Sequence, residues 1–144
     1  MKYSVLAGRI LYSLIFVMTA LGHFSGKTIS FAASQGVPLA SLAVPLSGVI
    51  ATLGGLSVAL GYKARFGAWL LALFLVPVSV TMHNFWSITD PMMAQMQMVM
   101  FMKNLAMLGS AFLIAYFGSG PLSIDAWLAA RQSQRLQHKQ PVTA

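Results

Sequence analysis

Four apolar runs, at residues 5–24, 42–61, 66–85 and 94–117, constrain this chain more than any other feature of it. Each is about twenty residues long, which at a rise of about 1.5 Å per residue is the length that crosses the hydrocarbon core of a bilayer. Backbone N–H and C=O groups meet no water in hydrocarbon, so each run must close its own hydrogen bonds as a helix. A soluble fold is excluded by composition: 58% of the 144 residues are hydrophobic, 8% are charged, and only Asp90 and Asp125 are acidic. An ordinary soluble domain carries charge on about a quarter of its positions. The expected fold is therefore all-α, a four-helix transmembrane bundle that makes one membrane domain of 1–144.

The formal net charge of +7 is spread in a way that reports orientation. Lys2 and Arg9, Lys63 and Arg65, and Arg131, Arg135 and Lys139 fall on one side of the four spans, and Lys27 falls alone on the other. The excess of basic residues marks the cytoplasmic side, which predicts both termini inside. Basic residues held in short connections between spans also speak against nucleic-acid binding. The chain has no cysteine, so disulfides, thiolate metal sites and thiol chemistry are excluded. Run 5–24, with Lys2 before it and Ala20 and Gly22 near its end, has the look of a signal peptide but is expected to stay as the first helix. Arg9 inside it is expected to lift its guanidinium to the interface by snorkelling.

The connections carry structure of their own. Residues 28–35 fit a short interfacial helix stopped by Gly36, with Pro38 just beyond, the alternative being a plain re-entry loop. In the second span Ser47, Ala51, Gly55 and Ala59 recur every four residues, a small-residue face that lets another helix approach closely, within the molecule or in a homo-oligomer. Pro77 interrupts the third span, and Ser79 and Thr81 are placed to satisfy the carbonyl it frees. Ser123 reads as the N-cap of a short amphipathic helix presenting Ile124, Trp127 and Leu128. Together with the basic tail it makes 121–144 an interfacial element that favours anionic headgroups.

The fourth span holds Lys103 and Asn104 well inside it. A lysine at the centre of a span costs about 2.5–3.5 kcal/mol on insertion scales, so it is a site candidate that needs a partner. The outer ends of spans one, three and four would bring it near His23, His83, Asn84, Trp86, Asp90, Gln95 and Gln97, and its stem leans toward that end of the helix. Imidazoles and an ammonium can hydrogen-bond the carbonyls of a quinone-like head group, with aromatic rings as apolar walls; the plainer alternative is that the histidines are solvated at the headgroup boundary and Lys103 merely snorkels. Seven methionines between 92 and 107 raise the alternative of cuprous copper. However, Met96, Met98, Met100 and Met102 alternate in steps of two and spread around the helix, so no metal site is expected. No carboxylate pair, no nucleophile beside a histidine and no phosphate loop is present, so no catalytic residue is assigned.

Five segments in order resemble one family: GRILYSLIFVMTALGHF at 8–24, QGVP at 35–38, LGYKAR at 60–65, VPVSVTMHNFW at 76–86 and FMKNLAMLGSAFLIAYFGSGPLSIDAW at 101–127. On these the chain resembles the DoxX family of small four-helix membrane proteins. The family takes its name from a membrane component of thiosulfate:quinone oxidoreductase in sulfur-metabolising archaea, and other members resemble accessory partners of redox or stress-defence proteins. The resemblance implies a multi-pass bacterial inner-membrane protein with Lys103, Asn104, His83 and Trp86 at recurrent polar positions. Ala51 stands where many relatives carry a glutamate, which removes an intramembrane partner for Lys103.

These readings lead to a non-catalytic or quinone-interacting subunit of a membrane redox system, with a redox-enzyme subunit and the lipid bilayer as its partners. A small-molecule carrier or channel is the second reading, and a structural assembly partner the third.

Overall fold

The computed structural model describes residues 2–139, so residues 140–144 of the expected basic tail lie outside the described residues. The chain is all-helical: α1 (Lys2–Thr19) runs into a 3-10 turn (Ala20–Phe24), then come α2 (Gly26–Ser34), α3 (Ala40–Leu60), α4 (Ala64–Met82), a second 3-10 turn (Phe85–Ser87), α5 (Pro91–Phe117) and α6 (Ile124–Lys139). Among the described residues, four segments are long and apolar enough to cross a membrane: Lys2–Phe24, Ala40–Leu60, Ala64–Ser87 and Pro91–Phe117. They coincide with the four apolar runs and extend them by a few residues.

Helices α3 and α4 form the central pair, with α1 against α3 and α5 against α4. The pair is close because side chains are missing where the helices meet. A Cβ on Gly54 would lie 2.8 Å from Leu71 Cγ and 2.9 Å from the Gly67 carbonyl, and one on Gly67 would strike Ser57. In lipid, where no hydrophobic effect drives one helix onto another, this van der Waals contact is what holds them. The core that results contains Phe16 of α1, Ala51 and Val58 of α3, and Ala68, Leu71 and Leu75 of α4, with Met107 and Leu108 of α5 against it. Of the predicted stripe, Gly55 lies against Phe16 and Val17 of α1, and Ser47 bonds His23 in the 3-10 turn that follows it. The Gly54 face toward α4 was hidden in sequence because its partner, Gly67, belongs to another span.

Helix ends follow the capping rules. Gly36 (φ +81°) and Gly61 (φ +65°) each close a helix in the left-handed conformation. Behind them Val37 N–H reaches the Ala32 carbonyl and Tyr62 N–H the Ser57 carbonyl, the six-to-one bonds of Schellman motifs. Ser123 Oγ accepts from Ala126 N–H and starts α6 as expected. Pro77 departs from expectation: Ser79 Oγ bonds the Leu75 carbonyl and Thr81 Oγ1 the Pro77 carbonyl, so neither takes the Leu73 carbonyl that the proline leaves without its helical donor. Each hydroxyl reaches the carbonyl one turn before itself, and residue 73 lies too far back.

Both acidic residues serve as caps. Asp90 Oδ1 accepts from Met93 N–H at 2.7 Å and starts α5. Asp125 reaches back across the fold, accepting from Lys63 N–H at 2.9 Å and Ala64 N–H at 3.4 Å at the start of α4, while its own N–H donates to the Gly61 carbonyl. Arg9 joins the same knot. It is 3% exposed, and its guanidinium donates to the Ser119 carbonyl and, at 2.9 Å, to the Leu122 carbonyl. The guanidinium expected to rise toward the end of its span does reach the loop between α5 and α6, but it is buried there on carbonyl acceptors and is not left to solvent. Removing the Asp125 cap with Asp125→Ala is expected to cost about 1–2 kcal/mol, the usual range for a lost capping side chain. Thermal unfolding in detergent micelles measures the loss, and faster tryptic cleavage after Arg131 reports the loosening of α6.

Candidate functional site

A cavity of about 620 Å³ opens at the end of the bundle opposite the Asp125 knot, bounded by α2, α3, α4 and the 3-10 turn after α1. Its walls are mainly apolar, including Val44, Ile50, Phe74 and Pro77, with Thr28, Ser47 and Thr81 as hydroxyl groups and His23 and His83 as the two rings. The volume and the few polar groups on an apolar wall are those of a small-molecule site. The roof exists because Ser25 caps α2, accepting from Thr28 N–H, and because Gly36 turns the chain back so that Ala32 packs with Ala40 and Val44.

Both histidines are held by their Nδ1 atoms. His23 Nδ1 lies 3.2 Å from Ser47 Oγ, and that hydroxyl already donates to the Val44 carbonyl at 2.7 Å. Ser47 therefore accepts, and His23 donates from Nδ1. Its ring also stands edge-on to Phe74, with centroids 5.6 Å apart. His83 Nδ1 donates to Gln97 Oε1 at 2.7 Å, so α5 sets the ring of a residue at the end of α4. Each neutral ring is consequently the Nδ1–H tautomer and keeps Nε2 as a free acceptor.

The structure separates the residues that sequence reasoning had gathered. His23 and His83 share the cavity. Trp86, 58% exposed, forms a cluster of edge-to-face rings with Phe85 and Phe101 outside it. Asn84 caps the turn beside that cluster through its carbonyl, which accepts from Ser87. Asn104 is 4% exposed and occupies the inner face of α5. Lys103 is exposed, and among the described residues its ammonium reaches only Met100 Sδ, at 3.5 Å. Successive helical residues differ by about 100° around the axis, so once Asn104 faces inward Lys103 cannot. The expected meeting of Lys103 with the histidines is corrected accordingly. Gln97, expected in the outer cluster, does meet His83, whereas Thr28, Thr81 and Ser47 as a ring-holding hydroxyl were missed as site residues. The one available signal was that each lies within a turn or two of the outer end of its helix.

Comparison with known proteins adds the family. The DoxX family model matches residues 4–84, more than half of the chain. The inner membrane protein YphA of Escherichia coli is 28% identical over 123 residues, covering 84% of this chain and 87% of that protein. The ER-derived vesicles protein ERV29 of Saccharomyces cerevisiae is 31% identical over 67 residues, 46% of this chain and 21% of that protein. No solved structure matches the chain at a significant level.

The hydrogen bonds at the two rings are open to direct measurement. Side-chain nitrogen NMR of His23 and His83 at high pH is expected to show the Nδ1–H tautomer for both. Ser47→Ala is expected to shift the His23 population toward Nε2–H, and Gln97→Met to do so for His83.

Proposed function

This chain belongs to the DoxX family, and from that premise we propose that it is a multi-pass protein of the bacterial inner membrane that holds a quinone-like head group as a non-catalytic subunit of a membrane redox system. The observation that carries the reading is the pair of imidazoles on one apolar cavity, His23 at the end of the first span and His83 at the end of the third. A neutral ring accepts at Nε2 from a quinol hydroxyl, and a protonated ring donates from Nε2 to a quinone carbonyl. The site can therefore follow the protonation of such a head group while partner proteins carry the electrons. Val44, Ile50 and Phe74 supply the apolar contact that a substituted ring needs. Lys103 has no part in this site.

The E. coli relative's description as an inner membrane protein supports the location. Orientation follows from charge. Arg9, Lys63 and Arg65 sit at the end where the α3–α4 turn meets the α5–α6 loop, and Lys27 sits at the other. The basic end is assigned to the cytoplasm.

Two measurements test these statements. A short-chain ubiquinone analogue at about a hundred times its Kd is expected to stabilise the purified protein by about 2.7 kcal/mol. His83→Ala and His23→Ala are expected to abolish the shift while Lys103→Met keeps it; no stabilisation of the parent protein removes the reading. Because the chain has no cysteine, single substitutions report sidedness cleanly. Ser87→Cys should react with a membrane-impermeant maleimide from the periplasmic side, and Tyr62→Cys only after the membrane is opened.

A further inference from the structure

Lys103 is the polar group that the fold leaves over. It stands next to the midpoint of the 27-residue helix α5, about 20 Å along the axis from either end, and its stem recovers only about 6 Å of that depth. Its side chain is turned away from the bundle, since the buried residues of α5 are Asn104 and Ala111. Its only hydrogen-bonding contact among the described residues is the Met100 thioether, a weak acceptor. An ammonium at this depth calls for a counter-charge.

The chain cannot supply one, and neither can a second copy of it. Asp90 and Asp125 are the only acidic residues in the sequence. Both are engaged as helix caps, Asp90 at the outer start of α5 and Asp125 at the opposite end of the bundle. Copies sharing one orientation in a bilayer keep their depths, so in a homodimer Asp90 stays about 13 residues, or roughly 20 Å, above Lys103. The surface around Lys103 is otherwise suited to a helix. Met96 and Val99 lie above it and Ala106 and Ser110 below it on one stripe, and the two small residues permit close approach.

We propose that the Lys103 face of α5 docks a transmembrane helix of a different protein, one that carries an aspartate or glutamate at mid-bilayer depth. The pair would neutralise a charge on each side that hydrocarbon penalises alone. This deepens the reading of the chain as a subunit by stating where its partner sits and by what chemistry it is recognised. The face is separate from the histidine cavity, which α5 does not line, so loss of quinone binding and loss of this contact are distinguishable.

The test is photocrosslinking of the full-length chain in its own cell membrane, with benzoylphenylalanine at Val99 or Ala106 and mass spectrometry of the adducts. The expected adduct is a hydrophobic segment of another protein with an acidic residue within about one helical turn of the linked position. Lys103→Met is expected to lower its yield about tenfold or more, corresponding to about 1.4 kcal/mol. Lys103→Glu should abolish it, and replacing the partner's acid by lysine should restore it. Thermal unfolding of both variants in micelles controls for folding, and Lys103→Met should be no less stable than the parent. Adducts to a second copy of this chain, to a segment without an acidic residue or to lipid alone overturn the proposal, as does a yield that Lys103→Met leaves unchanged in a folded protein.

Discussion

Hydrocarbon offers polar groups no partner, and the arrangement of this protein follows from how it disposes of them. The two carboxylates of the chain are placed where a helix start leaves N–H groups without acceptors. Arg9, the charge buried deepest in α1, takes backbone carbonyls of the loop between α5 and α6. That choice and the long-range cap by Asp125 tie the beginning of the chain, its central turn and the start of its last helix into one knot. Gly61 is part of the same solution: a Cβ there would occupy the space of the Arg9 guanidinium and of Ser123.

Away from the knot, shape takes over from charge. Missing side chains at Gly54 and Gly67 bring α3 and α4 into backbone contact, and Gly55 brings α1 against the other side of α3. This close fit holds through the middle of the bundle and gives way where Pro77 interrupts α4 and α2 lies across the end. The cavity is the space left there, and its histidines are held by neighbours from other helices, Ser47 for one and Gln97 for the other. A site built this way presents ring nitrogens of defined tautomer on an apolar wall. The same economy leaves α5 at the periphery, with its lysine turned away from the bundle interior that Asn104 and Ala111 face.

Much of this was legible in the sequence for physical reasons that act locally. Span positions follow from run length against bilayer thickness, the α2 stop from Gly36 with Pro38 just beyond, and the α6 start from Ser123. The stripe at Ser47, Ala51, Gly55 and Ala59 could be read because it repeats along one helix. His23 and His83 could be placed at the same end of the bundle by counting spans. Their shared cavity could not, because it depends on how far α2 folds over α3 and on the fit at Gly54 and Gly67.

By itself, then, the sequence determined that the chain is a four-span helical membrane protein, where its helices begin and end, and that its acidic residues are too few to balance its basic ones. Tertiary structure decided which way each polar side chain turns. Composition put Lys103 and Asn104 side by side in one span, but a helix turns them about 100° apart and only one can face the core. Arg9 likewise found its acceptors in a loop 110 residues away, which no periodicity encodes. Periodicity is a property of one helix, and the partner of a charge in hydrocarbon is a property of how the helices meet.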